Sequence, residues 1–162
     1  MQKRIVKGLD TEIEKLEAEI MRLIKSNQEL NNTLSLLLSM KGIGLVVACQ
    51  MICTTKNFKR FANARKFNCY AGLAPFKNES GTSIRGKARV SHLANKEIKT
   101  LLNMAAFCAL RYDPELKAYY ERRVSEGSSK MKCVNIIRAK LVARMFAIIK
   151  RQTPYQVLQS AA

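Results

Sequence analysis

Ten residues spaced by sevens constrain this chain more than any other feature. Val6, Ile13, Ile20, Asn27 and Leu34 form one series; Leu9, Leu16, Leu23, Leu30 and Leu37 form the other. Read as a and d positions of a heptad, they lay one apolar stripe along a helix over residues 1–38. β-Branched residues at a with leucine at d favour two strands, and a single polar a position, Asn27, fixes register. Ile13, Leu16, Ile20, Leu23, Asn27 and Leu30 are therefore the expected dimerisation seam. Glu12, Glu14, Glu17 and Glu19 flank it with Lys15, Arg22 and Lys25, and Gly8 marks a frayed start. The alternative is a helix folded back on the domain behind it; five successive heptads favour dimerisation.

Charge divides the chain at the same place. Of 29 lysines and arginines and 12 acids, residues 1–38 hold six of each. The whole excess of +17 thus falls on residues 39–162. A segment that basic is expected to bind nucleic acid, with affinity falling steeply as salt rises. An anionic membrane surface fits less well, because the helical segments are not split cleanly into apolar and basic faces. Five cysteines without a CxxC pair and a single histidine do not supply zinc spacing. No signal-like segment or membrane-length apolar run is present, so a reduced cytoplasmic protein associated with the nucleoid is expected.

Along the second part, Gly42-Ile43-Gly44 leads into the apolar run LVVACQMI. A turn of this kind offers backbone N–H groups at a helix N-terminus to phosphate. It resembles a helix-hairpin-helix element; a tight turn between packed helices is the plainer reading. Asn57 to Arg65 sets cations among Phe58 and Phe61, and residues 62–71 read as a short helix with Phe67 and Tyr70 turned inward. Tyr70 to Arg89 (YAGLAPFKNESGTSIRGKAR) then makes a Gly-Pro turn, a hydroxyl-rich apex from Ser80 to Ser83, and a basic run. If that run is extended, Arg85, Lys87 and Arg89 leave one face. Hydroxyls beside a one-sided row of cations suit a phosphodiester, although a solvated loop would read the same way. His92 reads as structural or solvated.

The remainder is helical. Residues 98–110 are apolar almost all round and should form the central core helix. Asp113-Pro114-Glu115 starts a helix that runs to the Gly127-Ser128-Ser129 break. Residues 130–150 carry a stripe of Val134, Ile137, Leu141, Val142, Met145 and Ile148, with Arg138, Lys140, Arg144, Lys150 and Arg151 mostly off it. Few acids are near in sequence to pair these cations, so a backbone-binding face is expected there. The tail from Pro154 reads as loose, with Tyr155 able to dock. The expected fold is mainly α: a coiled-coil helix over residues 1–38, then a compact basic helical domain over 39–162. That domain carries the helix-hairpin-helix-like turn and the serine loop, with room for a short β-hairpin.

The order of these features is informative. Gly42-Ile43-Gly44, Ala48, Phe61, YAGLAP over 70–75, Ser80-Gly81, a basic run, a turn at Asn95 and a long core helix follow one another. This series resembles the C-terminal transposase domain of the DEDD-type insertion-sequence transposases, the family of Piv-like DNA invertases and bridge-RNA-guided recombinases. The likeness covers about residues 39–152, and the heptads resemble the coiled coil that precedes this domain. It implies that Ser80 is the nucleophile that becomes joined to DNA, with Ser83 second to it. It also implies a composite site between subunits, in which a separate RuvC-like domain supplies four acids that hold Mg²⁺. From charge and position, Arg85, Lys87 and Arg89 would hold the scissile phosphate, and Gly42, Gly44, Lys99, Arg138 and Arg144 would contact nucleic acid elsewhere. The implied partners are DNA, a guide RNA in the RNA-guided members, and a second copy through the coiled coil, with a tetramer as the next assembly.

Two departures stand out. Glu79, Glu97, Asp113, Glu115, Glu121 and Glu126 are scattered, with no metal constellation, so the chain is expected to be a fragment with no cofactor of its own and inactive alone. Where the family often has Gly-Asn and then Leu-Arg, this chain has Ala94-Asn95 and then Ile98-Lys99; lysine keeps the charge without the bidentate fork. Two further readings stay open. One is a dimeric DNA- or RNA-binding module in which Ser80 is a loop residue. The other is a regulatory truncated transposase that joins intact subunits.

Overall fold

The computed structural model describes residues 2–80 and 84–156, and within 77–80 and 84–89 the backbone. The chain is mainly α. In order, the elements are α1 (Gln2–Lys25), α2 (Gln28–Leu38), α3 (Leu45–Thr55), α4 (Ala64–Tyr70), β1 (Phe76–Ser80), β2 (Ile84–Arg89), α5 (Lys96–Tyr112), α6 (Pro114–Ser125) and α7 (Lys130–Arg151). None of the described helices is long and apolar enough to cross a membrane.

The single helix expected over 1–38 is broken at Ser26-Asn27. Asn27 is extended (φ −118°, ψ 111°), and its Oδ1 accepts from the Leu30 N–H at 3.1 Å as the N-cap of α2. An asparagine carbonyl satisfies one of the N–H groups left open at a helix start, whereas inside a helix it competes with the backbone. The capped break therefore wins over a buried a position. Past it the heptad residues turn inward. Leu34, Leu36 and Leu37 are buried, Leu30 is half-buried, and α2 packs on α3 and α7. The division expected after residue 38 thus runs through one hydrophobic cluster. Before the break, Ile24 is buried, but Leu9, Ile13, Leu16, Ile20 and Leu23 lie exposed along α1, Leu16 at 64%.

Helix α5 starts where Asn95 Oδ1 accepts from the Ile98 N–H at 3.0 Å. It buries Ile98, Leu102, Ala105, Ala106 and Ala109 but exposes Met104 and Phe107, so it is one-sided rather than enclosed. Its small residues let the turn before α3 approach closely. Gly42 has φ +87°, and a Cβ there would lie 2.7 Å from Ala109 Cβ and 2.8 Å from the Ala105 carbonyl oxygen. Around α4, the rings of Phe58, Phe61, Phe67, Tyr70 and Phe146 pack at centroid distances from 4.9 to 6.1 Å.

Just after α7, Tyr155 is docked on the domain. The Tyr155 N–H donates to Ser39 Oγ at 2.8 Å, and its hydroxyl donates to Asp113 Oδ2 at 3.1 Å. Burial, aided by the Asp113 carboxylate and opposed by Arg144, pushes the Tyr155 phenol up to about 12.

Candidate nucleic-acid interface

The turn over residues 70–75 anchors the site. Gly72 has φ +66°; a Cβ there would lie 2.6 Å from Ala94 Cβ and 3.1 Å from Val90 Cγ1, and would touch the Lys99 stem at 3.8 Å. Glycine is the residue that permits both the left-handed backbone and that approach. The turn is tied to α5 twice through Asn95. The Asn95 N–H donates to the Tyr70 carbonyl at 2.9 Å, and Asn95 Nδ2 donates to the Tyr70 hydroxyl at 3.0 Å. It is tied to α7 by Asn135, whose Nδ2 donates to the Leu73 carbonyl at 2.8 Å.

Asn135 also leads to a buried cation. Arg138 is 5% exposed. One terminal nitrogen donates to Asn103 Oδ1 at 2.8 Å, and the other reaches Asn135 Oδ1 at 3.4 Å. Its Nε is buried and has no partner among the described residues. Burial pushes the guanidinium below its ordinary pKa. What is corrected is its place off the apolar stripe: Arg138 is buried rather than standing on a solvated face. It lies four residues after Val134 and three before Leu141, inside the apolar stripe. Beside it lies an open, shallow cavity of about 430 Å³, lined by Lys99, Thr100 and Asn103 of α5, Met131, Asn135 and Arg138 of α7, and Val90. Two of the cations singled out from sequence, Lys99 and Arg138, therefore line one space.

Arg144 differs. Its guanidinium donates to Asp113 Oδ2 at 2.9 Å, to Glu115 Oε1 at 2.6 Å and to the Tyr155 hydroxyl. Two carboxylates brought from the start of α6 occupy it, so it is not an unpaired cation on an open face. Lys140 lies over the Tyr119 ring at 4.1 Å, whereas Lys150 and Arg151 are exposed.

The serine segment forms an antiparallel pair, with Ser80 opposite Ile84, Glu79 opposite Arg85, Asn78 opposite Gly86 and Phe76 opposite Arg89. The backbone of the basic run is extended, and the register slips by one residue between the last two pairs. Ser80 ends β1 at the far end of the hairpin from Val90, about 13 Å along the strand from Phe76 at 3.3 Å per residue. Ser83 lies outside the described residues. Gly42 serves close packing on α5, and Gly44 is the exposed N-cap of α3. Of the seam residues, Ile13, Leu16, Ile20 and Leu23 are exposed, Leu30 faces the domain and Asn27 is a cap. His92 is exposed. The residues that sequence reasoning missed are Asn103 and Asn135. Their one signal is an amide beside an otherwise apolar helical face.

Fold and site together define a basic, mainly helical domain with a two-stranded hairpin rooted next to a cationic cavity. Residues 34–121 match the transposase IS116/IS110/IS902 family. The chain is 30% identical over 145 residues to the pilin gene-inverting protein of Moraxella bovis, covering 88% of this chain and 45% of that protein. To the insertion element IS110 uncharacterized 43.6 kDa protein of Streptomyces coelicolor it is 29% identical over 141 residues, covering 87% of this chain and 34% of that one. To the insertion element IS900 uncharacterized 42 kDa protein of Mycobacterium paratuberculosis it is 25% identical over 158 residues, covering 97% and 38%. The chain belongs to the IS116/IS110/IS902 transposase family. It spans less than half the length of these relatives.

Proposed function

We propose that this chain is the serine-bearing, nucleic-acid-binding part of a transposase that moves or inverts DNA. The observation that carries the reading is the position of Ser80 at the end of a strand whose partner, β2, is the basic run, in a chain akin to a gene-inverting protein. In the proposed step, Ser80 Oγ attacks a backbone phosphorus and forms a serine–phosphate ester. The bond from phosphorus to one deoxyribose oxygen breaks; serine gives up its hydroxyl proton and the leaving oxygen takes one to become a hydroxyl, so that no net proton is gained or lost. Arg85, Lys87 and Arg89 oppose the charge that builds on the phosphate. A serine hydroxyl needs a base, a metal or a cluster of cations to act as a nucleophile. Among the described residues no three His, Cys, Asp or Glu side chains gather to hold a metal. On this reading Mg²⁺ is held by four acids of a RuvC-like domain in another segment, and the chain alone is inactive. DNA is the proposed partner, with guide RNA the second polyanion the same charge would accept; a cytoplasmic, nucleoid-associated location follows from that.

The test is a chimaera in which this chain replaces the matching part of a full-length relative, incubated with Mg²⁺, donor DNA and guide RNA, then denatured. A protein–DNA adduct that Ser80→Ala removes and Ser83→Ala leaves is expected. An adduct that persists in Ser80→Ala refutes the assignment of the nucleophile. Salt-sensitive DNA binding without any adduct would favour the simple binding module instead.

The exposed stripe of Leu9, Ile13, Leu16, Ile20 and Leu23 supports dimerisation through α1 alone, rather than through the whole of residues 1–38. Asn27 and Leu30 are not part of that seam. Sedimentation equilibrium should give twice the mass of one chain, and Leu16→Glu should give one. A monomeric parent chain would rule the seam out.

A further inference from the structure

We propose that the cavity between α5 and α7 is a binding site for a phosphodiester, with Arg138 as its buried recognition group and Lys99 as its second cation. A guanidinium this deeply buried should have a counter-charge, since removing a charge from water is costly unless it is paired. Arg138 has two amide oxygens instead, one of them at 3.4 Å, and no carboxylate pairs with it among the described residues. Its Nε is buried and unpartnered there. Arginine does not escape by losing its proton, so the positive charge persists at the cavity wall. Lys99 lines the same space, and Thr100 adds a hydroxyl. Two cations and a hydroxyl, with no acid among the described lining residues, describe a receptor for an oxyanion. At about 430 Å³ the space is of the size that small ligands occupy.

Hydrogen bonds and close packing hold the site in place. The Leu73 carbonyl holds Asn135, and Asn135 and Asn103 hold Arg138, while Gly72 lets the turn settle against Val90, Ala94 and the Lys99 stem. The turn over 70–75 thus fixes both cations. Val90 directly follows β2, so the cavity lies at the foot of the hairpin that carries Ser80 at its other end. A nucleic-acid strand gripped at the foot would run toward the tip, and the cavity would act as a positioning site. The choice of phosphodiester rests on the reading of the chain as a nucleic-acid-binding domain; the anion site itself does not.

Three proteins are compared: the parent chain, Arg138→Met and Lys99→Gln. Thermal unfolding is followed in inorganic phosphate against chloride at equal ionic strength, and duplex DNA binding is followed across salt. Phosphate is expected to raise the Tm of the parent and not of Arg138→Met. In DNA binding each variant should lose about tenfold in affinity near 0.1 M salt, and the slope of log K against log salt should shrink by about one. Arg138→Met should itself be no less stable than the parent, because it removes an uncompensated buried charge. A purely structural arginine would give the reverse, a lower Tm with unchanged phosphate response and salt slope, and would overturn the proposal. A phosphate response with an unchanged DNA slope would refute the phosphodiester and leave a free-phosphate site. If the parent bound no DNA, the nucleic-acid reading would fail, and the phosphate arm would still decide the anion site.

Discussion

Asp113→Ala is expected to cost about 3 kcal/mol of folding free energy, the low end for breaking a buried ion pair. For a chain of this length that corresponds to a fall in Tm of roughly 6–12 °C. The Asp113 carboxyl group is 2% exposed and does three things at once. Oδ1 accepts from the Leu116 N–H at 3.1 Å and caps α6. Oδ2 accepts from Arg144 at 2.9 Å and from the Tyr155 hydroxyl at 3.1 Å. Alanine removes the cap, worth about 1 kcal/mol, and leaves a mostly buried guanidinium with Glu115 as its remaining acid. Glu115 is 42% exposed, so solvent screens that pair and it does not make good the loss. A tyrosine raised to about 12 in the folded chain keeps its proton longer than in the unfolded chain, near 10. Its contribution is therefore complete below about pH 10 and is lost as pH rises toward 12. In Asp113→Ala the phenol should titrate lower but still above its ordinary range, because burial is the larger cause of the shift. Urea unfolding and tyrosinate absorbance against pH check both parts. A loss under about 1 kcal/mol would mean that the cluster behaves as a solvated surface pair.

Gly42→Ala should be of similar size, about 3 kcal/mol, from two sources. An L-residue held at φ +87° costs about 1 kcal/mol, and the added methyl is overpacked by a further 1–3 kcal/mol. The atoms it would strike are the Ala109 amide nitrogen at 2.7 Å and the Ala105 carbonyl oxygen at 2.8 Å, both backbone of α5. Neither can swing aside as a long side chain would. Gly44→Ala is the control, since nothing lies within 4 Å of its Cβ position, and a loss below about 1 kcal/mol is expected there. Equal Tm values for the two variants would mean that the turn is not seated on α5. The two glycines look alike as members of one G-x-G motif, yet one is held by packing and the other by its place as a helix cap.

Helices α5 and α6 were legible in the sequence because their signals are local. Asn95 and Asp113 are capping residues directly before apolar periodicity, and Pro114 stands at the first helical position. For the hairpin the sequence left room without specifying it: the basic run was extended only conditionally, and nothing in the letters marks the pairing or its register slip. Asn27 shows the limit most clearly. A polar a position and an N-cap call for the same residue, and the choice depends on whether residues 30–37 find a surface, which α3 and α7 provide. The fates of Arg138 and Arg144 were hidden for a similar reason. Their partners Asn103 and Asp113 lie 35 and 31 residues away, and only the packing of α5, α6 and α7 brings them together.

The capped break at Asn27 also separates two things that a continuous helix would tie together. A whole heptad inserted into α1 would lengthen it by about 10 Å at 1.5 Å per residue and keep the same stripe in line. The core would not register the change, because α1 meets it only near its last turn. The same insertion between Gln28 and Leu38 would push Leu34, Leu36 and Leu37 out of their places. Reach and core are thus separately adjustable. Two such chains joined along α1 could hold their basic domains nearer or farther apart by changing one stretch of sequence and leaving the rest intact.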